Sequence, residues 1–224
     1  MRPTEIENSI ACGNVTEESL EQFKTALNRS PRAYRCEHCY TTAVSLDDRY
    51  FEQATDLICY GLQFCDNWSD RMRAYYSMGI VYEKHKDYNN ALQSYQRGLH
   101  AVPDEERATY LPDFSAHMMR MELHRNGFTY SENLRDYYAQ AVQGSPFSRA
   151  FVRRAFYEAL AEIVLFCQDG NTTEVRKSYS KVKDMLSPDY RGAHAALLQS
   201  KMYNETLEAT EEVLTFLKEM DKII

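Results

Sequence analysis

Residues 75–82 read Tyr-Tyr-Ser-Met-Gly-Ile-Val-Tyr, and residues 88–99 read Tyr-Asn-Asn-Ala-Leu-Gln-Ser-Tyr-Gln-Arg-Gly-Leu. Both stretches carry apolar residues at three- and four-residue spacing, which is the spacing of one face of an α-helix. Each also holds a small residue, Gly79 and Ala91, among tyrosines. Small side chains let two antiparallel helices approach closely, and the surrounding rings fill the space around that contact. Because Pro103 then ends the second helix, the two stretches together predict a helical hairpin.

This hairpin resembles the tetratricopeptide repeat, whose pattern is W-x2-L-G-x2-Y, then A-x3-F, then P, over 34 residues. Four positions match the pattern outright, namely Gly79, Tyr82, Ala91 and Pro103. Three more hold a substitute for the family's large residues, namely Tyr75, Met78 and Tyr95. The match covers residues 72–105, and it implies a right-handed stack of similar hairpins.

A second, partial copy of the pattern lies over residues 35–68. Ala54 and Gly61 precede their counterparts in the first copy by 37 residues, slightly more than the family period. We expect the extra residues in the polar turn 65–70. The first helix of this copy carries Thr41 and Thr42 where the family has its Leu-Gly pair, so that half departs from the pattern.

Helical signals extend along the whole chain. The few Gly (8) and Pro (6) residues lie between periodic stretches, and no stretch alternates with a period of two. We therefore expect an all-α fold, a tetratricopeptide-like α-solenoid of stacked antiparallel helix hairpins. Two later hairpins, over about 109–143 and 146–186, match the motif only weakly. The expected organisation is an N-terminal segment over 1–15, a repeat domain over 16–186 and a capping helix pair over 187–224, all within a single domain.

Composition and charge exclude several classes of protein. Hydrophobic residues make up 44% of the chain, with 17 Tyr and 10 Phe, enough apolar surface to bury a core. The net charge of −7 and the pI of about 5.4 argue against a nucleic-acid binder, which usually needs a basic face. The chain lacks an apolar run of membrane-spanning length, and its first residues turn acidic at once. We expect a cytoplasmic protein that binds neither nucleic acid nor a membrane.

Residues with distinctive chemistry are few. Cys36 and Cys39 place two sulfurs on one helix face. They can pack there as small apolar side chains, or they can bind zinc if two more ligands complete the site, which Cys59 or Cys65 could supply. The six His lack the spacing of a metal-binding pair, and the sequence has neither a phosphate-binding loop nor a nucleophile motif. We expect no enzyme activity, no catalytic residue and no cofactor, with a zinc-binding protein as an alternative.

The resemblance to the repeat family also implies a binding surface. In that family the first helix of each hairpin lines a concave groove, which holds a peptide or a helix of a partner protein. On this sequence the groove residues correspond to Arg73, Tyr76, Ser77, Ile80, Glu83 and Lys84. The partial repeat adds Cys36, Cys39 and Ala43.

The leading hypothesis is a non-enzymatic interaction module that binds a peptide or helix of a cytosolic protein. Tyr76 and Ile80 would be the apolar anchors, and Arg73 and Lys84 the polar contacts that set the register. An inhibitor or immunity-type protein is one form of this hypothesis. Two alternative hypotheses are also consistent with the sequence. The same residues can pack against the chain's own C-terminal helices, or the protein can be a self-assembling structural element of undetermined oligomeric state.

Overall fold

The structure is a computed structural model that describes residues 3–13, 15–145, 148, 152–187 and 211–224. All regular elements within these ranges are helical, and no strand occurs in them. The prediction of an all-α protein is therefore confirmed for the described part of the chain.

The α-helices are numbered in chain order. The first seven are α1 (Pro3–Ala11), α2 (Glu17–Asn28), α3 (Arg32–Ser45), α4 (Phe51–Leu62), α5 (Trp68–Lys84), α6 (Tyr88–Ala101) and α7 (Asp104–Arg125). A short 3₁₀ turn, Asp48–Tyr50, precedes α4. The remaining helices are α8 (Glu132–Ala141), α9 (Val152–Gln168), α10 (Thr172–Leu186) and α11 (Glu211–Met220). Among these described helices, none combines the length and the apolar character needed to cross a membrane.

Contacts divide the chain into two compact units, Met1–Tyr110 (unit 1) and Leu111–Ile224 (unit 2), and the boundary lies inside α7. The repeat domain over 16–186 and the capping helix pair over 187–224 stay predictions. Of that expected pair, the described residues contain α11, and the first member lies outside them.

Capping side chains position the two helices of the central hairpin of unit 1. Asn67 precedes α5, and its side-chain oxygen accepts a hydrogen bond from a first-turn amide at 2.8 Å. After α5, Lys86 adopts a left-handed conformation with φ 58°, and the amide of Asp87 donates to the carbonyl of Tyr82 at 2.9 Å. The Asp87 side chain then accepts from the amide of Asn90 at 3.1 Å and begins α6. The chain reverses within three residues, between α5 and α6.

Gly79 of α5 packs directly against Tyr95 of α6. A Cβ atom at Gly79 would lie 2.5 Å from Cε1 of the Tyr95 ring. Ala91 and Tyr95 are both fully buried, and the Tyr95 hydroxyl donates a hydrogen bond to Glu83 Oε2 at 3.0 Å. The close helix contact expected from the small residues is therefore confirmed.

The partial repeat folds as the hairpin α3–α4, where a different residue makes the close contact. A Cβ atom at Gly61 would lie 2.6 Å from Cβ of Cys39, so Cys39 rather than Thr42 faces the glycine. The α3–α4 connection, Leu46–Tyr50, holds five residues against three between α5 and α6. This connection precedes Ala54, so it does not contribute to the 37-residue offset, and the location of the extra residues in the turn Cys65–Asp70 stays a prediction.

Helix α5 lies beside both helices of the preceding hairpin. It contacts α3 and α4 as well as its own partner α6, and α1 contacts α2 and α3. One apolar core of unit 1 extends from Ile6 in α1 to Val81 in α5. Helices α3, α5 and α7 begin at Arg32, Trp68 and Asp104, an interval of 36 residues in both steps.

In unit 2, the turn of the hairpin α9–α10 has the same design as the turn between α5 and α6. Gly170 is left-handed with φ 69°, and the amide of Asn171 donates to the carbonyl of Phe166 at 2.9 Å. The Asn171 side chain accepts from the amide of Glu174 at 3.3 Å and caps α10. The helix lengths also agree, with 17 and 15 residues here against 17 and 14 in unit 1.

The turn between α7 and α8 differs from its prediction. The sequence predicts Thr129 as the cap of α8, because Glu132 follows three residues later. The structure instead has Ser131 as the cap, because the left-handed pair Gly127 and Phe128 delays the start of the helix. A left-handed conformation costs a bulky residue about 1–2 kcal/mol, so the contacts of the buried Phe128 side chain must hold it.

Replacing Gly79 by Val should lower the free energy of unfolding by about 2 kcal/mol, because the added side chain meets the Tyr95 ring. The control is Gln93→Ala at an exposed position of α6, which should change stability by less than about 0.5 kcal/mol. Chemical denaturation followed by circular dichroism measures both values. An unchanged midpoint for Gly79→Val would show that α5 and α6 do not pack through this contact.

Candidate functional site

Five of the six predicted groove residues on α5 reach the surface of unit 1. The exposed or half-buried ones are Arg73, Tyr76, Ile80, Glu83 and Lys84. Ser77, by contrast, is only 7% exposed, so its side chain belongs to the packing between helices. Ser77 is therefore not part of the α5 surface that a partner could contact. We call the five remaining residues the α5 face.

A contact with the neighbouring helix α3 holds Arg73 at one end of the α5 face. The Tyr40 side chain of α3 interacts with the Arg73 guanidinium, and this interaction raises the pKa of Arg73 above its ordinary value. Burial is the main reason why the pKa of Tyr40 is raised as well. Arg73 is therefore oriented by its own chain before any partner binds.

Lys84 is anchored at the other end of the α5 face. Its ammonium donates hydrogen bonds to the backbone carbonyls of Val44 and Leu46, where α3 ends. Burial lowers the pKa of Lys84, although nearby carboxylates act in the opposite direction. These contacts link α5 to α3, so Lys84 has a structural role in addition to the predicted polar contact with a partner.

Between these ends, Tyr76 and Ile80 make the centre of the α5 face apolar, and Tyr95 of α6 contacts Tyr76 and Glu83. The rings of Tyr76 and Tyr95 meet edge to face, with centroids 5.6 Å apart. Glu83 accepts the hydrogen bond of the Tyr95 hydroxyl. Tyr76 and Ile80 lie four residues apart on α5 and are both half-buried, so they present one continuous apolar strip.

The residues that the partial repeat was expected to add to the groove are buried. Cys36, Cys39 and Ala43 are at most 1% exposed. Cys39 faces Gly61 in the α3–α4 contact, and Cys36 forms a disulfide with Cys65. These three side chains therefore belong to the core of unit 1 and do not line a surface groove.

The disulfide between Cys36 and Cys65 ties α3 to the connection between α4 and α5, across a sequence separation of 29 residues. Sequence reasoning names both cysteines but does not pair them, because spacing along the chain does not reveal which helix ends meet. Tyr40, which orients Arg73, was missed for the same reason. No local signal marks either partnership.

Two features of the structure oppose zinc binding by Cys36 and Cys39. Among the described residues, no three His, Cys, Asp or Glu side chains are grouped so that they can hold a metal ion. Burial raises the pKa of the Cys39 thiol to about 12, whereas zinc binds the thiolate form. A site on Cys36 and Cys39 would therefore need the disulfide to open and the Cys39 thiol to lose its proton in a buried environment.

A cleft of about 330 Å³ lies elsewhere in unit 1, between the α1–α2 connection and the α3–α4 connection. Its lining includes Cys12, Val15, Asp47 and Tyr50. This volume is at the lower end for small-molecule sites. The cleft does not include the α5 face.

No family model matches the chain, and comparisons with curated proteins and with solved structures likewise find no match. The class that the structure defines is an all-helical protein whose first unit contains tandem helical hairpins. The resemblance to the tetratricopeptide repeat rests on the residues quoted above.

Native cysteine labelling tests the packing around Cys39. At pH 8, iodoacetamide should label the exposed Cys59 at least about 100-fold faster than Cys39, because a thiol with a pKa of about 12 is almost entirely protonated at that pH. Mass spectrometry of peptides after timed labelling measures both rates, and labelling in denaturant provides the control. Equal rates in the native protein would contradict the buried position of Cys39.

Proposed function

We propose that this protein is a non-enzymatic interaction module, and that the α5 face of unit 1 binds a peptide or helix of a partner protein. Tyr76 and Ile80 are the apolar anchors, and Arg73, Glu83 and Lys84 form the polar border. The observation that carries the proposal is the half-buried strip of Tyr76 and Ile80, held between side chains that are already fixed by their own contacts.

The arrangement of helices in unit 1 supports a tetratricopeptide-like solenoid. In such a stack, each hairpin contacts the hairpin next to it. Helix α5 contacts both helices of the preceding hairpin, α3 and α4. The 36-residue interval between the starts of α3, α5 and α7 also supports a repeated hairpin.

Preorganisation makes the α5 face suitable for binding. Full burial of an exposed apolar side chain is worth roughly 1.5–3 kcal/mol. Because Tyr76 and Ile80 are already half-buried, a partner that covers them gains only the part that is still exposed. Because Tyr76 already packs against Tyr95, little rotamer freedom remains to be lost on binding. Arg73 is likewise held by Tyr40. These features match the aromatic and arginine anchors that dominate many interfaces.

The proposed partner is a cytoplasmic protein, and the proposed role includes that of an inhibitor or immunity-type protein that covers an effector. The net charge of −7 favours a protein partner over a nucleic acid, because nucleic-acid binding usually needs a basic surface.

The double substitution Tyr76→Ala and Ile80→Glu tests the α5 face. We expect it to weaken partner binding by about 30-fold or more, the effect of losing one hot spot of about 2 kcal/mol. The measurement is affinity capture from native lysate with the tagged full chain, followed by titration of the captured partner. Circular dichroism must show that helicity is retained.

The matched control is Tyr34→Ala with Gln93→Glu. It removes an exposed tyrosine and adds one negative charge away from the α5 face, so it should bind like the wild type. Loss of the fold in the Tyr76/Ile80 variant would place these residues in the core and contradict the proposal. Equal binding by both double variants would contradict it as well. A molar mass that rises with concentration would instead favour self-assembly, and stoichiometric zinc would favour the metal alternative.

A further inference from the structure

Helix α11 binds to the rest of unit 2 through one apolar face. Val213, Leu217 and Met220 are between 0% and 4% exposed, and Phe216 stacks on Phe128 with ring centroids 5.2 Å apart. The four apolar residues on this face, Val213, Phe216, Leu217 and Met220, follow the spacing i, i+3, i+4 and i+7. Amphipathic helices that bind in grooves of other proteins use this spacing for their anchors.

Polar contacts hold the N-terminal end of α11. The Glu212 carboxylate lies 2.8 Å from Nδ1 of His124 in α7, and Nε2 of the same ring lies 2.8 Å from the Tyr157 hydroxyl in α9. The His124 side chain is only 4% exposed, whereas that of Glu212 is 50% exposed. The receiving imidazole is therefore built into unit 2, and the carboxylate reaches it from the surface.

A second set of polar contacts holds the C-terminal end, where the helix passes into its last residues. Asp221 accepts hydrogen bonds from the Tyr179 hydroxyl and, at 3.3 Å, from Lys183. Arg176 donates to the backbone carbonyl of Ile224 at 3.1 Å. All three partners lie on α10, so contacts at both ends of α11 fix its direction and register.

The surface that receives α11 has the character of an interface. It combines an apolar centre with directed polar groups at the rim, as specific protein interfaces do. Phe128, at its centre, adopts the left-handed conformation with φ 58°. Strained residues persist where the surroundings hold them, and they concentrate at ligand clamps and switch regions. The stacking of Phe216 on Phe128 is one of the contacts that hold it.

We propose that α11 occupies this face of unit 2 as an intramolecular ligand, and that the face accepts a partner helix with the same pattern. The pattern begins with a carboxylate residue. Apolar residues follow it at one, four, five and eight positions along the chain, and a second carboxylate residue follows at nine positions. The partner helix competes with α11, which has the advantage of being tethered. This second binding face is independent of the α5 face, so either proposal can fail without the other.

Peptide binding to the full-length chain tests the proposal. A fluorescein-labelled peptide of residues 211–224 is titrated with three full-length chains, namely wild type, Glu212→Gln and Glu219→Gln. The Glu212→Gln chain holds its own α11 less tightly, so it should bind the peptide about two- to five-fold more tightly than the wild type, the usual effect of weakening one partly exposed polar contact. Glu219 is an exposed residue of the same helix, and its variant should bind like the wild type.

Two results would overturn the proposal. One is a peptide that binds none of the chains saturably, or all three equally, because α11 would then be a permanent part of the core. The other is a molar mass of twice the chain in light scattering that excess peptide reverses, because the face would then hold α11 of a second copy.

Hydrogen exchange on the unmodified chain gives an independent result. Amides of α11 should exchange through a local opening that leaves α9 protected, and equal protection of both helices would contradict the proposal.

Discussion

The contact between Gly79 and the Tyr95 ring is the constraint on which the candidate site depends. A side chain at Gly79 would collide with the ring, so α6 can lie this close to α5 only with a glycine there. The same ring supports Tyr76 from below, and its hydroxyl fixes Glu83. One close contact between two helices therefore determines both the geometry of the hairpin and the shape of the surface above it.

The two units reverse their main hairpins with the same backbone device. In each, a left-handed residue is followed by an Asp or Asn that caps the next helix, at Lys86-Asp87 and at Gly170-Asn171. The device satisfies backbone groups at the end of one helix and at the start of the next within a three-residue turn. Short turns of this kind keep consecutive helices antiparallel and adjacent, as a stack of hairpins requires.

Local chemistry explains why much of the helical structure is predictable from the sequence. The Thr16 cap of α2 and the small residues of the α5–α6 contact are visible in short stretches of chain. Pairings between distant residues are not visible in short stretches of chain, because they depend on the register in which one helix packs against another. The disulfide of Cys36 with Cys65 and the burial of Ser77 are of this kind. The α5 face is therefore predictable in position, whereas the contacts that fix its polar residues are visible only in the folded chain.

A photo-reactive residue on the α5 face tests the central claim most directly. With p-benzoylphenylalanine at position 80 of the full-length chain, irradiation in cells should give a covalent adduct with a distinct partner protein. The same residue at position 93, exposed on α6, should give no such adduct. Adducts that form equally at both positions, or only at position 93, would contradict the claim that a partner binds on the α5 face.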